Sequence, residues 1–379
     1  MELKEAREQI DRIDRQLTDL FVERMQVAQQ VAAYKREHGL PVLDRERERQ
    51  VIASRTAQAG EEMATYTRVL YNTLMDLSRS YQSGKNSRNS PLPDKIKEAL
   101  ERTPQQFPVS ATVACQGVEG AYSQIACDKL FRQASITYFR TWEGVFQAVD
   151  KGLCRYGVLP IENSTAGSVN QVYDLMNRYR FHIARGVRLR VEHTLLAHPG
   201  VTLGEITEVY SHEQAIQQCG HFLKDHPSIK VHVCENTAAA ARMVAQSERR
   251  DVAAISSRNC GALYGLTVLE DGIQDNANNY TRFICISKEL EIYPGANKTS
   301  MMLSIPHKPG SLYQIISKFA SLDLNLTKLE SRPIPGKDFE FMFYFDIDAS
   351  IYAPETVELV AQLDEELERF TYLGSYLEQ

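Results

Sequence analysis

Two cations lie in the middle of an apolar helical stripe near the start of the sequence. At about 100° per residue, Arg24 lies about 20° from Ile13 and Leu17, and Lys35 returns to within about 20° of Arg24. Burying a charge without a partner is costly, so both side chains need an anion. Two interpretations stay open: ion pairs with carboxylates of the next helix, or a pocket for an anionic ligand inside a helical bundle.

Polar clusters follow five short apolar runs between residues 110 and 288. A strand, a polar cluster and a helix form a βα unit, and ligands of such folds bind where the strands end and helix N-termini present free N–H groups. Each cluster alone is explained by simple helix N-capping. Together they predict a cleft for a small anion between two lobes. The clusters are Gly117–Ser123, Glu162–Ser168, Ser211–Gln214, Glu235–Thr237 and Ser256–Asn259.

Composition narrows the class of protein. The 379 residues include 43 Lys and Arg against 49 Asp and Glu, a net charge of −6, and 43% of them are hydrophobic. A mildly acidic chain without a run of about 20 apolar residues does not fit a nucleic-acid binder or a membrane protein. The N-terminus has no apolar signal segment, and the seven scattered cysteines form no C-x-x-C pair. We therefore expect a cytoplasmic protein without disulfides, metal or cofactor.

The sequence pattern predicts a multidomain chain. Residues 1–84 are helical throughout, and a first helix from about Leu3 to Lys35 would be about 50 Å long, too long to bury its stripe alone. We therefore expect a homodimer or a higher homo-oligomer. Residues 85–106 are predicted to be a linker, and residues 107–290 an α/β domain of two lobes, like a periplasmic binding protein. Residues 298–379 follow the order strand, helix, strand, strand, helix, strand of an α+β ferredoxin-like module.

The helical segment resembles the all-helical chorismate mutases. The resemblance implies that chorismate rearranges to prephenate here, which requires only a held conformer and stabilised charge on the ether oxygen. It implies that Lys35, Gln82 and Glu48 are catalytic. The resemblance also assigns a contact to each residue. The substrate carboxylates would be bound by Arg24, by Arg47 and by Arg7 of a paired chain, with Ser78 lining that end of the site. Lys35 and Gln82 would donate to the ether oxygen, and Glu48 and Asp44 would hold the ring hydroxyl and Lys35.

The α/β domain resembles prephenate dehydratase, most tellingly in the run Thr281-Arg282-Phe283. That reaction expels the ring hydroxyl and CO₂, so the hydroxyl needs a proton donor and the carboxylates need fixed dipoles. The resemblance makes Thr281 the catalytic donor, tuned by Arg282 or Glu162, and leaves His212 as either a helix cap or a proton shuttle. The implied prephenate-binding residues are Ser123, Glu162, Asn163, Thr165, Ser211, Gln218, Glu235 and Arg282.

The last module resembles the ACT regulatory domain of prephenate dehydratases, through Pro309-Gly310-Ser311-Leu312 and the run from Asn325 to Pro333. The resemblance implies that phenylalanine binds between paired modules and inhibits the enzyme. A module that only dimerises is the alternative. The implied effector residues are Gly310, Ser311, Leu312, Asn325, Leu326, Glu330, Ser331 and Arg332.

The combined interpretation is a bifunctional enzyme of phenylalanine biosynthesis. It would convert chorismate to prephenate and then prephenate to phenylpyruvate, with phenylalanine as effector. Two alternatives stay open. The middle domain could act on arogenate, which carries an amino group where prephenate has a keto oxygen, or the chain could be a non-catalytic small-molecule sensor.

Overall fold

The computed structural model describes residues 2–38, 44–84, 90–334, 336 and 340–379. The helices are α1 (Leu3–Glu37), α2 (Arg45–Gln58), α3 (Gly60–Gly84), α4 (Leu92–Arg102), α5 (Tyr122–Leu130), α6 (Trp142–Asp150), α7 (Asn170–Tyr179), α8 (Glu213–Gln218), α9 (Gly220–Asp225), α10 (Thr237–Gln246), α11 (Arg258–Tyr264), α12 (Ser311–Ser321) and α13 (Pro354–Glu366). The strands are β1 (Ser110–Gln116), β2 (Gln133–Phe139), β3 (Tyr156–Asn163), β4 (Gly167–Ser168), β5 (His182–Arg190), β6 (Thr194–Ala197), β7 (Glu208–His212), β8 (Lys230–Cys234), β9 (Val252–Ser256), β10 (Thr267–Glu270), β11 (Tyr280–Ser287), β12 (Lys298–Ser304), β13 (Asn325–Pro333), β14 (Phe341–Asp348) and β15 (Phe370–Tyr376). None of the helices in the described part of the chain combines the length and the hydropathy of a membrane span.

Helices α1, α2 and α3 are the three helices expected at the start of the chain. The side chain of Asp44 caps α2 by accepting a hydrogen bond from the backbone N–H of Arg47 at 3.0 Å. The apolar stripe of α1 is not covered within one chain, because Ile10, Leu17 and Leu20 each keep more than half of their surface exposed. The predicted break at Gly39 and Pro41 lies outside the described residues.

The predicted linker of residues 85–106 contains a helix. Residues 85–89 lie outside the described part of the chain, but α4 covers Leu92–Arg102. Its buried residues Leu92, Ile96 and Ala99 recur at helical spacing. The prolines that suggested a linker are compatible with a helix start, where a missing N–H costs nothing.

Two mixed sheets form the α/β part. Lobe 1 is built on the order β2-β1-β3-β11-β5, with β4 beside β3, and lobe 2 on β10-β6-β9-β7-β8. The chain leaves lobe 1 after β5 and returns as β11, which runs antiparallel to both β3 and β5. The predicted two-lobed architecture is therefore present, and the two lobes are joined by the segments that enter and leave lobe 2.

The last sheet has the order β13-β14-β12-β15, and its neighbouring strands are all antiparallel. With α12 and α13 it follows the predicted strand–helix order. The residues after β15 run beside β5 of lobe 1, where the N–H of Gly186 donates to Leu377 O at 3.0 Å. Gly374 has φ of 131°, and a Cβ there would lie 2.8 Å from Ile183 O, so this close approach requires glycine.

Candidate active sites

A cavity of about 600 Å³ lies in the α/β part and is lined by both lobes. Lobe 1 contributes Ser123, Asn163 and Thr281, and lobe 2 contributes Gln218 and Glu235. These five are the sequence-predicted prephenate residues that the fold brings together. The two strands that carry Asn163 and Thr281 lie side by side, with these residues in register.

Asn163 fixes the chemistry of the Thr281 hydroxyl. The Asn163 Nδ2 group donates to Thr281 Oγ1 at 2.9 Å, while Asn163 Oδ1 accepts from the backbone N–H groups of Thr165 at 3.0 Å and Ala166 at 2.8 Å. Because Thr281 Oγ1 already accepts, its own proton is available to another acceptor. Thr281 also lines the cavity, so this proton can be donated to a ligand there.

Helix N-termini supply the electrostatics of the cavity. Residues at the starts of α5, α7 and α10 line it, and none of the described lining residues is Lys or Arg. Asn236 caps α10 by accepting from the N–H of Ala239 at 2.8 Å. An anion in this cleft would meet N–H dipoles rather than mobile cations.

A second candidate site lies among the N-terminal helices. Arg24 of α1 reaches α3, where its Nη2 lies 3.3 Å from Met75 Sδ, and its Nη1 is buried without a hydrogen-bond partner in the described residues. Gln82 Nε2 donates to Ser78 Oγ at 3.2 Å on α3. An unpartnered buried guanidinium nitrogen is an unsatisfied donor that an anionic ligand can satisfy.

Comparison with known proteins identifies both regions. The family model "Chorismate mutase type II" matches residues 6–83, and "Prephenate dehydratase" matches residues 113–291. The chain is 31% identical over 380 residues to the bifunctional chorismate mutase/prephenate dehydratase of Escherichia coli (strain K12), with 98% of this chain and 95% of that protein covered. The chain belongs to this bifunctional family. It is an enzyme with chorismate mutase and prephenate dehydratase activities.

Two further relatives match the later part of the chain. Arogenate dehydratase/prephenate dehydratase 6, chloroplastic, of Arabidopsis thaliana is 39% identical over 282 residues, which cover 70% of this chain and 68% of that protein. The solved prephenate dehydratase of Arthrobacter aurescens in complex with L-Phe superposes with a TM-score of 0.64 at 29% identity, and covers 70% of this chain and 89% of that one.

Four of the expected prephenate residues of this family member do not line its cleft, and two of them, Arg282 and Glu162, contact the last sheet instead. Arg282 is 5% exposed, and its guanidinium donates to Asp346, to Glu378 and, at 2.6 Å, to Tyr376 Oη. Consecutive residues of a strand face opposite sides, so Arg282 cannot share the face of Thr281. Arg282 therefore holds the last sheet on lobe 1 and does not line the cavity.

Glu162 departs from the expectation for the same reason. It stands opposite Arg282 in the strand register, on the face away from Asn163. Lys328 of β13 donates to it at 2.8 Å. The carboxylate is thus committed to the last sheet rather than to the cavity.

Three other expected dehydratase residues have local roles. Ser211 is buried and donates to Ile255 O at 2.6 Å, so it does not line the cavity. Thr165 contributes its backbone N–H to Asn163 rather than a lining side chain. His212 lines the cavity and also caps α8, with Nδ1 accepting from Gln214 N at 3.3 Å, so both of its interpretations stay open.

The expected mutase residues are less completely assembled within one chain. Glu48 accepts from Arg79 Nη1 at 2.6 Å, and the side chain of Asp44 caps α2. Arg7 and Arg47 are exposed. Sequence reasoning missed Arg79, although its place beside Ser78 on α3 put it within reach of the site.

The expected effector residues lie at the start of α12 and along β13. Gly310 has φ of 84° before α12, a conformation that favours glycine. Two of the β13 residues already contact lobe 1: Glu330 accepts from Ser168 at 2.5 Å, and Arg332 donates to both oxygens of Asp174 at 3.2 and 2.9 Å. The remaining residues of the set, Ser311, Leu312, Asn325, Leu326 and Ser331, stay predictions.

His193 also lines the cavity, although no role for it was predicted from the sequence. Its Nε2 lies 2.8 Å from Gln218 Oε1, and burial lowers the pKa of its imidazole below the usual value. A usable signal was the polar pair Glu192-His193 between two strands, at a lobe crossing.

Proposed function

We propose that the cavity at Asn163 and Thr281 is where prephenate is dehydrated, with Thr281 as the donor to the departing ring hydroxyl. The observation that carries this proposal is the hydrogen bond from Asn163 Nδ2 to Thr281 Oγ1 at 2.9 Å. It occupies the oxygen of Thr281 as an acceptor and leaves its proton for the substrate.

Besides this donor, the reaction needs only groups that bind the substrate carboxylates. The bond from the ring to the carboxylate carbon breaks, its electron pair enters the ring, and the C–O bond breaks. CO₂ and hydroxide leave, and the hydroxide takes a proton and departs as water. A threonine hydroxyl is too weak an acid to protonate it outright, so Thr281 stabilises the charge that grows on the oxygen, and the proton comes finally from solvent.

A pair of substitutions at Thr281 tests this role. Removing a preorganised donor to a developing oxyanion costs about 10²–10³ in kcat, so Thr281→Ala should lose that much dehydratase activity. Thr281→Ser keeps the hydroxyl and should retain most of it. Mutase turnover in the same chain serves as the control for folding. A Thr281→Ala enzyme with a near-normal dehydratase kcat would remove Thr281 from the mechanism.

For the mutase we propose that Arg24, with its unpartnered Nη1, holds a chorismate carboxylate. Lys35 and Gln82 would face the ether oxygen. The exposed stripe of α1 supports a homodimer in which Arg7 comes from the paired chain, because apolar surface of this extent favours burial. In such a dimer, the charged side chains that are exposed in one chain could complete the site of the other.

Phenylalanine is the proposed effector of the last module. The similar dehydratase from A. aurescens is a complex with L-Phe, and Gly310 here precedes the N-terminus of α12, where the helix dipole suits a carboxylate. Saturating phenylalanine should slow amide hydrogen exchange in α12 and β13. Unchanged exchange would leave the module as a dimerising element.

Turnover on prephenate and arogenate, measured side by side, decides between the two substrates.

A further inference from the structure

Hydrogen bonds connect five side chains behind and beside the dehydratase cavity. Thr281 Oγ1 and Asn279 Oδ1 both accept from Asn163 Nδ2, at 2.9 and 2.8 Å. Asn279 Nδ2 donates to Gln218 Oε1 at 3.0 Å, and His193 Nε2 lies 2.8 Å from the same oxygen. Asn279 is 1% exposed and is not among the residues that line the cavity.

The backbone sets the direction of the first two links. Asn163 Oδ1 accepts from two peptide N–H groups, those of Thr165 and Ala166, which can only donate. The NH₂ group of Asn163 must therefore face Asn279 and Thr281. Asn279 must receive it through Oδ1, which leaves its own NH₂ group to point at Gln218.

The donors and acceptors at Gln218 and His193 follow from the same reasoning. Gln218 receives the Asn279 N–H through Oε1, so His193 must also donate, and its proton sits on Nε2. Its Nδ1 is buried without a hydrogen-bond partner in the described residues, and burial lowers the pKa of the imidazole, which favours the neutral ring. A bare Nδ1 is what a neutral ring protonated on Nε2 presents. Gln218 lines the cavity, and the NH₂ group of its amide is the end left for a ligand.

We propose that Asn279 and His193 are positioning residues of the dehydratase, which hold the Gln218 amide with its NH₂ group toward a carboxylate or keto oxygen of the substrate. The inference rests on the proposed function of the cavity. With the amide reversed, Gln218 would present Oε1 to a dianion and repel it. Two donors on one oxygen therefore select the orientation that an anionic substrate needs.

Asn279→Asp tests the role of the donated N–H. The introduced carboxylate still accepts from Asn163 but cannot donate, and it attracts the Gln218 NH₂ group away from the substrate. We expect KM for prephenate to rise and kcat/KM to fall about 10- to 100-fold at neutral pH, the effect of a lost hydrogen bond to a charged group. The introduced carboxyl group is buried, so its pKa is raised, and once protonated it donates to Gln218 again. The kcat/KM ratio of variant to wild type should therefore recover as pH falls.

Asn279→Leu is the control without a titratable group, and it removes both the donor to Gln218 and the acceptor for Asn163. It should lose kcat/KM at every pH, with no recovery in acid. Mutase turnover and the urea midpoint of each variant report on folding. Equal losses in both variants at all pH values would overturn the positioning role of Asn279.

Gln218→Glu tests the direction of the network even if the Asn279 variants fold poorly. A carboxylate at this position accepts from Asn279 and His193 as before, so the variant should keep the wild-type urea midpoint while KM rises at least tenfold. If the amide pointed the other way, the carboxylate would face two acceptors and the midpoint would fall, which would refute the inference. These effects appear in KM, whereas failure of the Thr281 proposal appears in the kcat of Thr281→Ala, so the two can fail separately.

Discussion

Replacing Arg282 by methionine should destabilise the α/β part far more than its place in a catalytic motif suggests. The guanidinium is buried between lobe 1 and the last sheet, where it pairs with Asp346 and Glu378 and donates to Tyr376. Both carboxylates are nearly inaccessible to solvent. Removing the cation leaves at least one buried charge without compensation.

The size of the effect depends on which partners each carboxylate retains after Arg282 is replaced. Glu378 retains Arg188 at 2.9 Å and Lys298 at 3.7 Å. Asp346 retains only the hydroxyl of Ser300 among its side-chain partners in the described residues. The cost therefore falls on Asp346, and breaking a buried pair in this way costs about 3–5 kcal/mol of unfolding free energy.

The assay uses urea unfolding followed by the fluorescence of Trp142, the single tryptophan, which lies in lobe 1 beside the cavity. Arg188→Met is the matched control, because Arg188 pairs with the same Glu378 but its side chain is 57% exposed. An exposed pair contributes about 0–1 kcal/mol, so this control should change stability little. Adding Asp346→Asn to Arg282→Met should recover part of the loss. If Arg282→Met were no less stable than Arg188→Met, the buried network would not hold the last sheet.

Three further outcomes are expected. Arg24→Ala should abolish mutase turnover and leave dehydration of supplied prephenate nearly intact; equal loss of both activities would contradict separate sites. Leu17→Glu, in the exposed stripe of α1, should give a monomer by sedimentation with little mutase activity, whereas an unchanged mass would exclude this stripe as the interface. Burial lowers the folded-state pKa of His193 below the unfolded value of about 6.5, so protonation favours unfolding, and stability is fully present above that pH and declines below it. His193→Gln should flatten this decline in unfolding titrations.

The parts of the fold that follow periodic patterns were predictable from the sequence. The 3.6-residue stripe gave α1 within two residues of its observed end, and the order of strands and helices in the last module was correct. The helix α4 was missed because Pro91 and Pro93 favour a linker locally, and only burial of Ile96 and Ala99 stabilises a helix there. Burial of this kind depends on partners distant in sequence, which a local pattern does not contain.

The candidate site was predictable in its residue types but not in the direction of its side chains. Asn163 and Thr281 lie in the cavity as expected, whereas Glu162 and Arg282 do not. These four residues form two register pairs on β3 and β11. The sequence prediction placed all residues of a motif in the same site. Side chains alternate between the two faces along a strand, so Thr281 and Arg282 point to opposite faces of the sheet.

Because of this alternation, β3 and β11 each have one face toward the cleft and one face toward the last sheet. On one face, Asn163 and Thr281 present hydrogen bonds to the cleft, and on the other, Glu162 and Arg282 bind Lys328 and Asp346 of the last sheet. A strand backbone cannot shift on one face alone. The contacts with the last sheet and the placement of the two cleft residues therefore depend on the same two strand backbones. The short motif around Thr281 thus joins a substrate donor to an anchor for the last sheet, and a variant at Arg282 tests the anchor without removing the donor.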